Sequence, residues 1–229
     1  MRIVHGSDWH WSFSSVPEAD LYVFTGDMLD DYPIINRSYG LHDWKIDPVV
    51  EVKEQNKAIK KFVSAGGFSQ FLGSPKAPVI CVRGNHDFVD LAPLFEGCNL
   101  VHEFVNNEVI EVLGKKASGH RGIPYIYGEW NDEMHRPDLM DRVRNIPSGI
   151  DLLLTHYPPS QILDAADYSR RGATHYGMEG MGDVVLSRMN SGSYHFFGHI
   201  HEQGGKTLAF EEENISFSNA ATTFNVIDV

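Results

Sequence analysis

Apolar residues along this 229-residue chain come in short bursts that stop abruptly. The stretches RIVHG (residues 2–6), LYVFTG (21–26), PVICVRG (78–84), DLLLTH (151–156) and YHFFGH (194–199) each hold a few β-prone residues and then end at Gly, Asp, His or Thr. Apolar runs of this kind predict strands buried on both faces, with ends that open into loops. Helical patterns lie between them. The clearest covers 48–65, PVVEVKEQNKAIKKFVSA, with Pro48 at its start and Gly66-Gly67 just past its end, the expected punctuation of a helix. The lysines from Lys53 to Lys61 mark its wet face. PDLMDRVRNI (137–146) and GDVVLSRMN (182–190) predict two shorter helices. LVHEFVNNEVIEVLG (100–114) reads as a hairpin turning at Asn106-Asn107. The tail from Lys206 reads as two or three more strands. Strands and helices alternate through most of the chain, and hairpins are added at the middle and the end. That order predicts a layered α/β protein with mixed sheets and outer helices.

Composition narrows the picture. The hydrophobic content of 42% is enough for a packed core, and no repeat or linker divides the chain, so one domain over 1–229 is expected. No run of about 18 apolar residues occurs, so no membrane-spanning helix is expected. The start, MRIVHGSDWHW, lacks the apolar stretch of a secretory signal. Two cysteines, Cys81 and Cys98, make no disulfide framework and fit a reducing compartment. A cytoplasmic protein is the expectation. The net charge of −12 disfavours tight non-specific binding to a nucleic-acid backbone. It leaves a small phosphate ester open, because bound cations can supply positive charge locally.

The candidate chemistry sits at the strand ends. Asp8 and His10 follow the first strand, and Asp27 the second. Asn85, His86 and Asp87 follow the third, His156 comes after DLLLT, and His199 and His201 come after YHFFG. In open α/β sheets, ligands bind at the carboxyl ends of strands. Each piece alone has an ordinary reading. Asp8-x-His10 is more often a capped loop, Gly26-Asp27 a common turn, and a His-x-His pair exposed polar surface. The ordered set is different, since five strand ends carrying Asp, Asn or His converge if the strands are neighbours. Carboxylate, imidazole and amide oxygen suit divalent cations such as manganese, iron or zinc, and no thiolate takes part. Seven candidate ligands exceed the needs of one ion. They suit two ions sharing a bridging carboxylate, about 3.5–4 Å apart. Gly26, Gly84 and Gly198 are expected to let the backbone turn sharply.

With these motifs the chain resembles the calcineurin-like metallophosphoesterase superfamily, along nearly its whole length. The resemblance implies a four-layer α/β/β/α sandwich with two mixed β-sheets and metals at their carboxyl edge. It implies that Asp8, His10 and His201 hold one metal, that Asp27 bridges, and that Asn85, His156 and His199 hold the other. It further implies that His86 acts as general acid. GDMLDDY lacks the arginine that follows the bridging aspartate in protein serine/threonine phosphatases. IPSGIDLLLTHYPP and FFGHIHEQGG are similar to the small class III cyclic nucleotide phosphodiesterases of the MPPED type. Two departures stand out: GNHD where that group often has GNHE, and the segment 170–182.

The activity so implied is hydrolysis of small phosphodiesters such as cyclic nucleotides, at a dinuclear site with a bridging hydroxide as nucleophile. The expected cofactors are two divalent metal ions, manganese first, with iron, zinc or nickel as alternatives. A nuclease or phosphomonoesterase of the same superfamily is the rival activity. A non-catalytic scaffold retaining the fold is the alternative of a different class. Asp87 is expected either to orient the His86 ring or to serve as a cap or solvated charge. Arg170, Arg171, His175 and Tyr176 could form a loop over the phosphate or an ordinary solvent-facing loop. Trp9 and Trp11, flanking His10, could stack on a base or pack as a rim.

Overall fold

The computed structural model describes residues 1–31, 46–167 and 172–229. Arg170 and Arg171 therefore lie outside the described residues. The strands in chain order are β1 (Arg2–Ser7), β2 (Leu21–Phe24), β3 (Pro78–Val82), β4 (Asn99–Phe104), β5 (Asn106–Val112), β6 (Lys115–His120), β7 (Ile123–Pro124), β8 (Glu133–Met134), β9 (Ile150–Thr155), β10 (Ala165–Ala166), β11 (Thr174–His175), β12 (Met189–Phe197), β13 (Lys206–Phe210), β14 (Ile215–Asn219) and β15 (Thr223–Asp228). The α-helices are α1 (Pro48–Ser64), α2 (Arg136–Arg144) and α3 (Met181–Arg188).

Two large mixed sheets result. Sheet one has the order β15-β1-β2-β3-β4, and sheet two β13-β14-β12-β9-β6-β5. Within sheet one, β1, β2, β3 and β4 run parallel, and β15 is antiparallel to β1. Within sheet two, β6, β9, β12 and β14 run parallel, with β5 and β13 antiparallel at the edges. The five motif-bearing strands are thus neighbours in two groups, β1-β2-β3 and β9-β12.

Alternation of side chains explains why these strands read as continuous apolar runs. Ile3, Leu21, Val23, Ile80 and Val82 of sheet one meet Leu152, Leu154 and Phe196 of sheet two in an inter-sheet core. Val4, Tyr22, Phe24, Val79 and Cys81 point the other way, into a cluster with Ile59 of α1 and the aromatic rings of Trp9, Phe68 and Phe95. Leu153, Phe197 and Phe217 face outward from sheet two, against Leu139 and Val143 of α2 and Val185 of α3. The layers are therefore α/β/β/α, and both faces of each central strand are buried. Helix α1 begins as its sequence indicates, with Asp47 Oδ1 accepting from Val49 N at 2.9 Å and Pro48 in the first turn. Its lysines are exposed.

The stretch 100–114 is not a hairpin. β4 joins sheet one beside β3, whereas β5 joins sheet two beside β6. The chain crosses between sheets at Val105, and the true hairpin turns at Leu113-Gly114, with φ of 51° and 74°. An Asn-Asn pair tolerates a turn without requiring one, and burial of β4 on β3 decides the outcome. Cys81 is buried, Cys98 partly so, and both are free thiols. Among the described residues, no helix is long and apolar enough to cross a membrane.

Candidate metal centre

The loops after β1 and β2 are clamped together by backbone bonds. Asp8 N donates to Gly26 O at 2.9 Å, His10 N to Asp27 O at 3.0 Å and Trp11 N to Met28 O at 3.1 Å. To fit, Asp8, His10, Trp11 and Asp27 adopt left-handed backbone, with φ of 55°, 44°, 62° and 49°. His199 does the same at 65°. Such conformations cost about 1–3 kcal/mol per non-glycine residue and cluster at functional sites.

The glycines of the motifs have two different reasons. Gly26 has φ of 93°, as a turn requires, and a Cβ there would also meet the Gly84 backbone. Gly84 and Gly198 are needed for space instead. A Cβ on Gly84 would collide with the Asp27 carboxylate, and one on Gly198 with Asp8 Oδ2 and Ser7 Oγ. The expectation of a sharp turn at these two positions is therefore replaced by close approach of a carboxylate to the backbone.

The side chains meet across the two sheets. His199 N donates to Asp8 Oδ1 and Oδ2 at 3.1 and 2.9 Å, and Ser7 Oγ donates to Asp8 Oδ2 at 2.6 Å. His156 Nδ1 lies 2.7 Å from Thr25 O, which sets Nδ1 as the protonated nitrogen. His156 Nε2 then lies 3.1 Å from Asn85 Oδ1, 3.2 Å from Asp27 Oδ2 and 3.2 Å from His199 Nδ1. His199 Nδ1 is also 3.0 Å from Asn85 Oδ1. On the other side, His201 Nε2 is 3.2 Å from Asp8 Oδ1. His10 Nε2 is buried with no hydrogen-bond partner among the described residues. Donor atoms of Asp8, His10 and His201 lie within 4.8 Å of one another, as do those of Asp27, His156 and His199, and of His10, Asp27 and His86.

Charge follows the same arrangement. Burial opposes ionisation of Asp8 and Asp27, but the imidazoles, His156 first, hold both below the usual carboxylate range, Asp27 far below. Burial lowers His199 to about 3, with the neighbouring His156 adding to it. Burial also lowers His156, but Asp27, Asp8 and the Thr25 carbonyl outweigh it and raise this group to about 10. His156 Nε2 thus faces an amide oxygen, a carboxylate oxygen and another imidazole nitrogen. Lone pairs pointed at a common centre repel unless a proton or a cation lies between them. The donor set therefore fits divalent cations, and the separate orphaned nitrogen of His10 fits a second one.

His86 sits differently. Its Nδ1 is 2.9 Å from Asp31 Oδ2 and 3.9 Å from Asp30 Oδ1, and its Nε2 is 3.9 Å from Asp27 Oδ2. Its ring packs against Trp130 at 4.3 Å between centroids and edge-on to His10 at 4.7 Å. Burial lowers its pKa, but Asp27 and Asp31 outweigh that and leave it raised. Asp87 does not orient this ring. Its carboxylate accepts from Leu29 N and Gly84 N, both at 2.9 Å, and so ties the β2 loop to the β3 loop. Asp31 faces the ring in its place.

Several supports were not legible in the sequence. Gln55, on the buried face of α1, accepts from Phe88 N at 2.8 Å and donates to His86 O at 2.6 Å and Asp30 O at 3.2 Å. Asn131 N donates to Asn85 O at 3.0 Å, and its side chain to Asp87 O at 2.6 Å. Trp9 is buried among Phe13, Phe24 and Phe68, and its Nε1 donates to Thr223 O at 2.8 Å. Trp11 packs on Phe13 and Phe62. Trp9 is therefore packed inside the core, and Trp11 packs partly buried at its rim. His175 is exposed and pairs with buried Asp164 at 2.6 Å, and Tyr176 O accepts from Tyr157 OH.

Residues 1–203 match the family model described as calcineurin-like phosphoesterase. The UPF0046 protein T07D4.2 of Caenorhabditis elegans is 30% identical over 133 residues, 54% of this chain and 32% of that protein. Metallophosphoesterase domain-containing protein 1 of Homo sapiens is 30% identical over 103 residues, 44% of this chain and 30% of that protein. The chain thus spans about a third of the length of the curated relatives it matches.

Proposed function

This chain belongs to the calcineurin-like phosphoesterase family, and from that premise we propose that it is a two-metal phosphodiesterase acting on small phosphodiesters such as cyclic nucleotides. The observation that supports this most is the convergence of His156 Nε2, His199 Nδ1, Asn85 Oδ1 and Asp27 Oδ2 on one centre, with Asp8, His10 and His201 beside it. Asp27 shares donor groups with both sides and is the candidate bridge.

Two divalent cations, manganese by preference, would supply the charge that activates water and neutralises phosphate oxygens during in-line displacement. The chain's own residues do the rest. Asp8 and Asp27 are the only carboxylates in the proposed ligand set, and the imidazoles are neutral when ligating. Two carboxylates leave a dinuclear site with net positive charge, which attracts a phosphodiester anion. Ser7 Oγ and His199 N hold the Asp8 carboxylate, and Thr25 O holds the His156 tautomer. His86 is the candidate acid for the leaving oxygen, with Nε2 turned toward Asp27 and Nδ1 toward Asp31. Asp31 is a positioning residue: it faces the far nitrogen, and its charge favours the protonated ring.

The test is hydrolysis of bis(p-nitrophenyl) phosphate against p-nitrophenyl phosphate by metal-stripped protein with and without added manganese. Manganese-dependent diester cleavage in preference to the monoester is the expected result. Preference for the monoester would make the protein a phosphomonoesterase. Two bound metals without turnover of either ester would favour a scaffold.

A further inference from the structure

The loop between β7 and β8 carries Tyr125, Ile126 and Tyr127, which are 50%, 39% and 75% exposed. Among the described residues, these form the one run of three consecutive exposed large apolar side chains. The loop is built rather than slack. Glu133 Oε2 accepts from the backbone N of Ile126, Tyr127 and Gly128 at 3.0, 3.2 and 2.6 Å, and Oε1 from Trp130 N at 3.2 Å. One carboxylate therefore organises the whole turn. The Tyr125 ring stacks on His135 at 5.2 Å and lies over Gly128, whose φ of 80° clears the space. The far end of the loop is bonded to the metal-centre motif itself, through Asn131 to Asn85 O and Asp87 O, and through Trp130 against the His86 ring. Tyr127 is three residues from Trp130, a span of at most about 10 Å of chain.

We propose that Tyr125, Ile126 and Tyr127 form a recognition arm for an uncharged aromatic ring carried on the leaving oxygen's side of the phosphoester substrate, a sugar-borne nucleobase or an aryl ring. The inference rests on the phosphoesterase reading above. His86 marks the side of the phosphorus from which the leaving group departs, and Trp130 backs His86. Whatever is attached to the leaving oxygen therefore passes along this loop. Residues 124–134 contain no Lys or Arg. Glu129, Asp132 and Glu133 make the loop acidic, and the nearby Arg121 is 3.4 Å from Asp132. The turn itself offers a second phosphate or a nucleic-acid strand no countercharge, the nearest cation along the chain past it being Arg136 after β8, whereas a flat neutral ring finds two phenol rings. Stacking on one aromatic side chain is worth roughly a tenfold gain in affinity.

The test uses phosphonates whose P–C bond is not cleaved. Binding of benzylphosphonate and methylphosphonate to the manganese-loaded protein is measured by calorimetry, for wild type and for Tyr127→Ala and Tyr125→Ala. Wild type is expected to bind benzylphosphonate about tenfold more tightly. The Tyr127→Ala variant should lose most of that preference and keep its methylphosphonate affinity. Tyr127 is exposed, so the variant folds. Equal binding of the two phosphonates by wild type, or an unchanged preference in both variants, overturns the arm while leaving the phosphate site standing. Failure to bind either phosphonate overturns the arm together with the phosphoesterase reading.

Discussion

Sheet one brings mostly oxygen to the centre, through Asp8, Asp27 and Asn85 on the loops after β1, β2 and β3. Sheet two brings nitrogen, through His156, His199 and His201 after β9 and β12. His10 is the one imidazole of the proposed ligand set on the first side, where His86 of the β3 loop packs against it. The two halves differ in what most restricts them. The oxygen half depends on left-handed backbone at Asp8 and Asp27 and on carboxylates pressed against Gly84 and Gly198. In the nitrogen half, Thr25 O chooses the tautomer of His156 through Nδ1, and His199 shares the left-handed backbone. A carboxylate can ligate through either oxygen, so its placement must be fixed by the space and the donors around it. An imidazole has two distinct nitrogens, so the far one must be assigned by a partner. Each half also reaches into the other: Gly198 of sheet two contains Asp8, and Thr25 of sheet one orients His156. The centre exists only when the sheets are packed together.

The two halves depend most on the carboxylate they share. Asp27→Ala should remove both metals and lower kcat/KM by roughly 10³-fold or more, several kcal/mol of transition-state stabilisation. Elemental analysis of the purified variant checks it, and retention of two metals would remove the bridging role. His86→Ala, outside both halves, should keep its metals and lose about 10²–10⁴-fold in turnover. A variant with unchanged kcat would exclude His86 as the acid.

A subtler break sits in a residue with no functional group. Gly198→Ala should displace Asp8 and weaken metal affinity by about 10–100-fold, as disrupted supports of ligands do. Competition with a chelator reads this directly, and wild-type affinity would show that Asp8 has room to shift.

Buried imidazoles outside the proposed ligand set should contribute to the acid stability. Burial lowers His5 and His120 to about 3 and pushes His195 well below its ordinary value. The unfolded chain takes up protons near pH 6.5, while these folded rings stay neutral. The stability these rings contribute is therefore fully present above pH 6.5 and falls as pH drops toward 3, by about 1.4 kcal/mol per pH unit for each ring, offset in part by Asp87, whose carboxyl burial pushes up to about 7. Urea unfolding between pH 7 and 5 measures the slope, and His120→Gln should lessen it. An unaltered slope would mean that the ring accepts a proton in the folded state.

The smallest effect lies in a turn far from the centre. Leu113, with φ of 51° before Gly114, occupies a position where Asn is favoured. Leu113→Asn should stabilise the fold by about 0.5–1 kcal/mol without altering metal binding. A lower melting temperature would contradict it.

The ligand candidates were legible because each follows an apolar run and the runs are strands. The helix at 48–64 was legible from its punctuation and period. The partner of His86 was not, since Asp31 and Asp87 are both carboxylates near a loop, and only the packing of the β2 loop on the β3 loop turns one toward the ring and the other toward backbone amides. Gln55 reads as one polar residue of an exposed helix until α1 docks and places it against His86 and Phe88. Trp130 lies 44 positions from the ring it backs, in a loop with no strong local signal.

By itself, then, the sequence determined which residue types stand at which strand ends, because hydrophobic burial and turn chemistry are local and periodic. Only the tertiary structure decided that Val105 crosses between sheets, that Gly84 and Gly198 make room for carboxylates, and that Asp31 rather than Asp87 faces His86. Those outcomes depend on contacts between segments far apart in the chain, and their energies are set by distance and space that no local pattern encodes.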